Sequence, residues 1–258
     1  MQQTSAPTQR IAEAVERQVA HLRIALDSPP GEGWIRCEDL MADVDELQTS
    51  IEETQAGRGA PDAQVAASLW FQAYAYRVAI PVVAPFALGL AGFAADPRST
   101  HIRIARNRPA AVAVTDPASH DRSAEQAASD LGVLALSPMV DSIAARFTIG
   151  RRLLWGNAAA SVASVLRSLE GAPGADRAAI RERGTDLFAH ADPWFGGLGQ
   201  FDVVEAAGRD GWYWTRTNCC LYEKCEGASR CADCSLTPAS ELEAARLAEL
   251  AARQEVSS

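Results

Sequence analysis

Five of the chain's six cysteines lie between residues 219 and 234, and no other feature of the sequence limits the fold so tightly. The segment runs Thr217-Asn218-Cys219-Cys220, continues through Cys225, and closes on Cys231-Ala232-Asp233-Cys234. The spacing is C-C-x10-C-x2-C, with Cys225 inside the loop. Sulfur at this density serves disulfides, metal ligation or thiol redox chemistry. The first residues, MQQTSAPTQRIAEAVERQ, carry no basic region followed by an apolar run, so a secretory signal is not expected. A reducing cytosol then disfavours disulfides and leaves metal or redox chemistry.

Cys231-x2-Cys234 is an ordinary chelating turn, whereas Cys219-Cys220 is unusual. Neighbouring side chains of an extended chain point to opposite faces. A tetrahedral zinc needs every sulfur within about 2.3 Å of one ion, which adjacent residues reach only with a bent backbone. A two-iron cluster offers two separate irons to four cysteines. Geometry therefore favours a [2Fe-2S] cluster on Cys219, Cys220, Cys231 and Cys234. A structural zinc site with four cysteine ligands stays open, as does a thiol–disulfide site, although the latter usually precedes a helix in a βαβ context. Cys225 is spare in a four-ligand site, and Cys37, beside Trp34 and Ile35, reads as a small core residue.

Length and charge exclude other classes. The 258 residues, 48% hydrophobic, suffice for one large domain or two modest ones. A net charge of −9 argues against a nucleic-acid partner. Val78 to Ala95 is an 18-residue stretch without charge, just long enough to span a bilayer. Pro81 and Pro85 interrupt it, so a buried core helix is the main expectation, with a membrane span and a peripheral membrane contact as lesser ones.

The remaining pattern is helix-rich. Ile11, Val15, Val19, Leu22 and Leu26 predict a helix over 8–27, ended by Ser28-Pro29-Pro30-Gly31. Residues 34–37 predict a short extended piece, 39–55 a second helix, and 62–92 a central helix kinked or divided at its prolines. Period-two alternation over 101–106 and 111–115, with a turn at 107–110, predicts a hairpin. Helices are expected over 124–135, 138–170 and 175–190, then a loop over 191–200 and a strand pair at 201–204 and 212–215. Ser240 to Glu243 reads as a capping box opening a last helix to about Gln254. The fold class is α+β, helix-rich with a small antiparallel sheet and a C-terminal cysteine-rich iron–sulfur segment.

The sequence resembles the FhuF-like ferric siderophore reductase family. Cys219, Cys220, Cys231 and Cys234 match that family's C-terminal signature, and Arg152-Leu153-Leu154-Trp155-Gly156-Asn157-Ala158-Ala159 is similar to its internal helix motif. The resemblance spans about residues 60–236. It implies an N-terminal helical region (1–60), a siderophore-recognition region (61–200) and a [2Fe-2S]-binding region (201–258). It further implies one-electron reduction of a ferric siderophore, of the hydroxamate type, inside the cytoplasm. Siderophores hold Fe(III) through hard oxygen donors that bind Fe(II) less tightly. No GxGxxG or P-loop is present, so an external donor such as a ferredoxin, a flavodoxin or an NAD(P)H-dependent reductase is expected. The alternative is a zinc-stabilised structural or binding protein.

Several other residues are candidates. Trp212, Tyr213 and Trp214 could shield the cluster or form a siderophore platform, with core packing favoured. Arg103, Arg106 and Arg108 could meet an anionic siderophore, and Arg146, Arg151 and Arg152 likewise, but a solvated face is the simpler expectation. Arg216 and Arg230 flank the cysteines and read first as surface charge. His190 and Asp192 form the weakest candidate pair.

Overall fold

The computed structural model describes residues 6–27, 31–115, 117, 119–206 and 208–255. Helix α1 (Ala6–Gln18) is shorter than its periodicity predicts, because the chain turns at Ala20–Leu22 and continues as strand β1 (Ile24–Leu26). Leu22, Ile24 and Leu26 fit period two as well as helical spacing, and the pairing of β1 with a later strand selects the extended form. Residues 28–30, expected to end that helix, lie outside the described residues.

Strand β2 (Trp34–Arg36) leads into α2 (Cys37–Ala42) and α3 (Val44–Arg58). The single helix expected over 39–55 is split at Asp43, whose carboxylate accepts from the amides of Asp45 and Glu46 and so caps α3. Gly59, at φ 60°, stops α3 in the left-handed conformation. Helix α4 (Ala63–Ala87) then runs unbroken through Pro81 and Pro85, which occupy its last two turns. Its uncharged part, residues 78–87, is buried, as expected for a core helix. Another stretch, Ala124–Arg146, has the length and hydropathy of a membrane span, with half of its apolar window buried within the fold.

Strands β3 (Gly92–Phe93), β4 (Thr100–Ile104), β5 (Pro109–Val114) and β6 (Ser119–His120) come next. The predicted hairpin is β4–β5, and its turn places Arg106 and Asn107 at positive φ, 52° and 61°. One sheet has the order β1-β5-β4-β2, with β1 parallel to β5 and the other pairs antiparallel; β3 and β6 form a separate ladder.

Helix α5 (Ala124–Ser129) opens on a capping box between Ser123 and Gln126 and passes through a π-helical stretch, Asp130–Leu136, into α6 (Ser137–Arg146). The helix expected over 138–170 breaks at 147–150 before resuming as α7 (Arg151–Glu170). α8 (Arg177–His190) matches its expected place, and α9 (Asp192–Phe195) is one turn inside the expected loop. β7 (Gly199–Ala206) and β8 (Arg209–Arg216) make the second predicted strand pair. The last helix, α10 (Ala239–Glu255), starts at Ala239, so Ser240 lies in its first turn rather than at the cap.

The fold is helix-rich α+β with small sheets. α4 and α7 pack along each other at its centre, and the buried core is continuous from Ile11 to Cys225. Cys37 is buried there beside Tyr74, and burial pushes its thiol up to about 12.

Candidate metal centre and adjoining cleft

β8 delivers the chain to the cysteines, and several backbone anchors hold the cysteine segment in place. The Thr217 amide donates to Leu198 O at 3.0 Å, and its hydroxyl donates to Gly197 O at 2.9 Å. Leu221 turns the chain at φ 68° directly after the Cys219-Cys220 pair. The Glu226 amide donates to Gly59 O at 3.0 Å, tying the loop to the end of α3. The Cys234 amide donates to Cys231 O at 3.0 Å and closes the C-x2-C turn.

This path gathers the thiols, all of them free. Cys220 Sγ lies 3.5 Å from Cys231 Sγ. The Leu221 amide donates to Cys219 Sγ at 3.2 Å. Contact with Cys231 lowers the Cys220 thiol, against burial and with help from the Arg216 charge; the same contact raises Cys231. Burial raises Cys219, which also feels the charges of Cys220 and Cys234. Cys219, Cys220, Cys231 and Cys234 thus share one neighbourhood. Cys225 is buried beside them, raised chiefly by burial and within reach of both Arg58 and Cys220. Among the described residues no three Cys, His, Asp or Glu side chains close on a point tightly enough for a single metal ion. The four thiols are nevertheless the donor set a two-iron cluster requires, with an amide donor already directed at sulfur.

Behind the thiols runs a buried polar chain. Ser68 Oγ, on α4, donates to Cys220 O at 2.7 Å. Asn157 Nδ2, on α7, donates to Ser68 Oγ at 2.8 Å, while Asn157 Oδ1 accepts from Arg216 Nη1 at 3.2 Å. Arg216 Nε donates to Asp233 Oδ2 at 2.9 Å, inside the C-x2-C turn. The expectation of a surface Arg216 is therefore wrong: it is only 2% exposed, because Asn157 and Asp233 supply its partners. Its Nη2 is buried without a hydrogen-bond partner among the described residues, as is Asn218 Oδ1. Gly156 allows the close approach, since a Cβ there would run into the Asn218 side chain. The helix motif at 152–159 thus supplies the seat of the cysteine segment.

A cleft of about 460 Å³ opens against this centre. Cys220, Cys231, Ala232 and Asp233 form one wall; Tyr76, Tyr222 and Trp214 contribute rings; Arg58, Arg77, Arg108 and Arg167 contribute charge. The β4–β5 turn reaches this cleft because Thr54 Oγ1 donates to Asn107 O, pinning the hairpin tip to α3.

Residues 68–197 match the family model described as "Ferric iron reductase FhuF-like transporter". The chain belongs to the FhuF-like family. The match covers α7 and nearly all of α4, the two helices that seat the cysteines, and ends before the cysteine segment. No curated protein matches the chain.

In this FhuF-like fold the other candidates separate clearly. Trp212 is core, stacked on Phe201 at 3.8 Å, whereas Trp214 is packed in the same aromatic group yet reaches the cleft. Of the hairpin arginines only Arg108 lines the cleft; Arg103 and Arg106 are exposed. Arg151 pairs with Asp141, Arg152 donates to Gly197 O, and Arg146 donates to Ser142 O. Arg230 is exposed, and His190 pairs at the surface with Asp186 at 3.6 Å. Sequence reading missed Ser68, Arg58, Arg77 and Tyr76, which come from three different helical turns and carry no local motif.

Proposed function

We propose that this chain reduces ferric siderophore complexes by one electron, with Cys219, Cys220, Cys231 and Cys234 holding a [2Fe-2S] cluster. Membership of a ferric iron reductase-like family supports a reductase, and one observation carries the finer reading. A ligand-sized cleft has two of the four thiols, Cys220 and Cys231, in its wall. A cluster there would supply one electron, and Fe(II) leaves hard oxygen donors more readily than Fe(III) does.

The chain's own residues do the rest. Tyr76, Tyr222 and Trp214 give the chelate flat apolar surface, and Arg58, Arg77 and Arg108 give it charge. Ser68, Asn157, Arg216 and Asp233 fix the cysteine loop, and buried Arg216 lends positive potential beside the thiols. No proton transfer or bond cleavage by a side chain is needed. The electron comes from a separate donor, such as a ferredoxin, a flavodoxin or an NAD(P)H-dependent reductase, and the setting is the cytoplasm.

The test is anaerobic. Protein reduced with dithionite and freed of excess reductant is mixed with a ferric chelate and an Fe(II)-trapping dye. Trapped Fe(II), matched by reoxidation of the protein, is the expected result. A reduced protein that yields no Fe(II) with any ferric chelate would overturn the proposal.

A further inference from the structure

The charge of the cleft narrows its substrate. Arg58 (α3), Arg77 (α4) and Arg108 (β4–β5 turn) come from three elements and converge on one opening. None of the three forms an ion pair with a carboxylate among the described residues, in a chain whose net charge is −9. They also oppose one another. Burial first, then the neighbouring charges of Arg58 and Arg106, hold Arg108 below its ordinary pKa; burial and Arg108 act the same way on Arg77. Arg167 adds a fourth cation, shared with Glu249 at 3.4 Å. The single carboxylate of the lining, Asp233, is already bonded to Arg216. Like charges held together without counter-charges cost stability, and a bound anion is what offsets them.

We infer that, against the hydroxamate preference the family resemblance implies, this cleft selects ferric chelates of net negative charge, catecholate or carboxylate complexes, over uncharged trihydroxamates, with Arg58, Arg77 and Arg108 as the specificity-determining residues. The inference rests on the reading of the cleft as the chelate site. Ligating cysteines are thiolates and add negative charge to the wall beside Cys220 and Cys231, which by itself would repel an anion. The three open arginines line the same cleft and offset that charge. The guanidinium fork also suits carboxylate and catecholate oxygens, which a plain ammonium would meet only as a point charge.

Gallium(III) complexes separate binding from reduction, because gallium(III) takes no electron under these conditions. The intact, metal-loaded protein is titrated calorimetrically with the gallium complexes of a trianionic tris-catecholate, of citrate and of an uncharged trihydroxamate. At low salt at least one anionic complex should bind about tenfold tighter than the trihydroxamate, and the advantage should shrink as salt screens it. The order of tris-catecholate and citrate tells which oxygen donor is preferred. Arg77→Gln with Arg108→Gln should remove the advantage, while Arg98→Gln, remote and paired with Asp96, should keep it. A trihydroxamate that binds as tightly as both anions, or no binding by any of the three, overturns the inference. Tight binding of the anionic gallium complexes with no reduction of their ferric counterparts would instead sink the reductase reading and leave this selectivity standing.

Discussion

Two arginine clusters sit beside the C-terminal half of α7, and they are built on opposite principles. At the C-terminal end of the helix, Arg177 and Arg181 close on Glu170 and Asp210, with Arg181 Nη2 to Glu170 Oε1 at 2.5 Å and Arg177 Nη1 to Asp210 Oδ1 at 2.7 Å. The Glu170 side chain is only 3% exposed, and every charge has an opposite partner. In the cleft along residues 160–167 of the same helix, Arg58, Arg77 and Arg108 face one another with no such partner among the described residues. The first arrangement joins α7, α8 and β8 and explains itself as structure. The second has no such role, because none of its arginines pairs with a carboxylate among the described residues.

The contrast can be broken by mutation. Glu170→Ala leaves two arginines facing each other with only Asp210, and should cost about 3 kcal/mol, a fall of roughly 6–12 °C in Tm. Denaturant unfolding checks it; a loss no larger than that of a surface substitution would mean the sealed cluster is not structural. Gly156→Ala comes next, at about 1–3 kcal/mol. The new methyl displaces Asn218, so iron content per chain should fall and the thiols should react faster with a thiol reagent.

Asp210 gives a pH signature. Burial pushes its carboxyl up, but hydrogen bonds and charge from Arg181 and Arg177 outweigh this and hold it below the usual range. A depressed folded pKa adds stability above the unfolded value, and that stability is lost as pH falls through the folded one. Asp210→Asn should therefore be less stable than wild type by about 1 kcal/mol at neutral pH, with the gap closing below about pH 4. A gap that persists into strong acid would assign the effect to packing. The smallest effect belongs to the open cluster. Arg58→Gln, Arg77→Gln and Arg108→Gln should each change stability by no more than about 0.5 kcal/mol, or raise it. If any of them costs as much as Glu170→Ala, the two clusters do not differ in kind.

The sequence carries the sealed and open regions with unequal clarity. Strong local signals survive: the β4–β5 alternation, α8 and the β7–β8 pair all have their patterns within a few residues of chain. Where a segment fits two periods, neighbours decide. Leu22, Ile24 and Leu26 read as helix until β5 offers a parallel edge, and the long helix after Met139 breaks at 147–150 without a proline to announce it. The site is harder still. Asn157 stands in a recognisable motif, but its work, bridging Ser68 and Arg216, spans partners 89 and 59 residues away. Arg216 looks like a surface charge until Asp233 and Asn157 enclose it. Arg58, Arg77 and Arg108 have no spacing in common, and only the folded chain brings them to one cleft.

The central claim, four cysteines holding a two-iron cluster beside that cleft, is tested most directly by the low-temperature EPR spectrum of the anaerobically purified, dithionite-reduced protein. Wild type and Cys225→Ser should both be red-brown before reduction and give the signal of a reduced [2Fe-2S] centre. Cys219→Ser, Cys220→Ser, Cys231→Ser and Cys234→Ser should each lose it. A colourless wild-type protein with one tightly bound zinc, or a signal that Cys225→Ser abolishes and Cys219→Ser retains, would contradict the account.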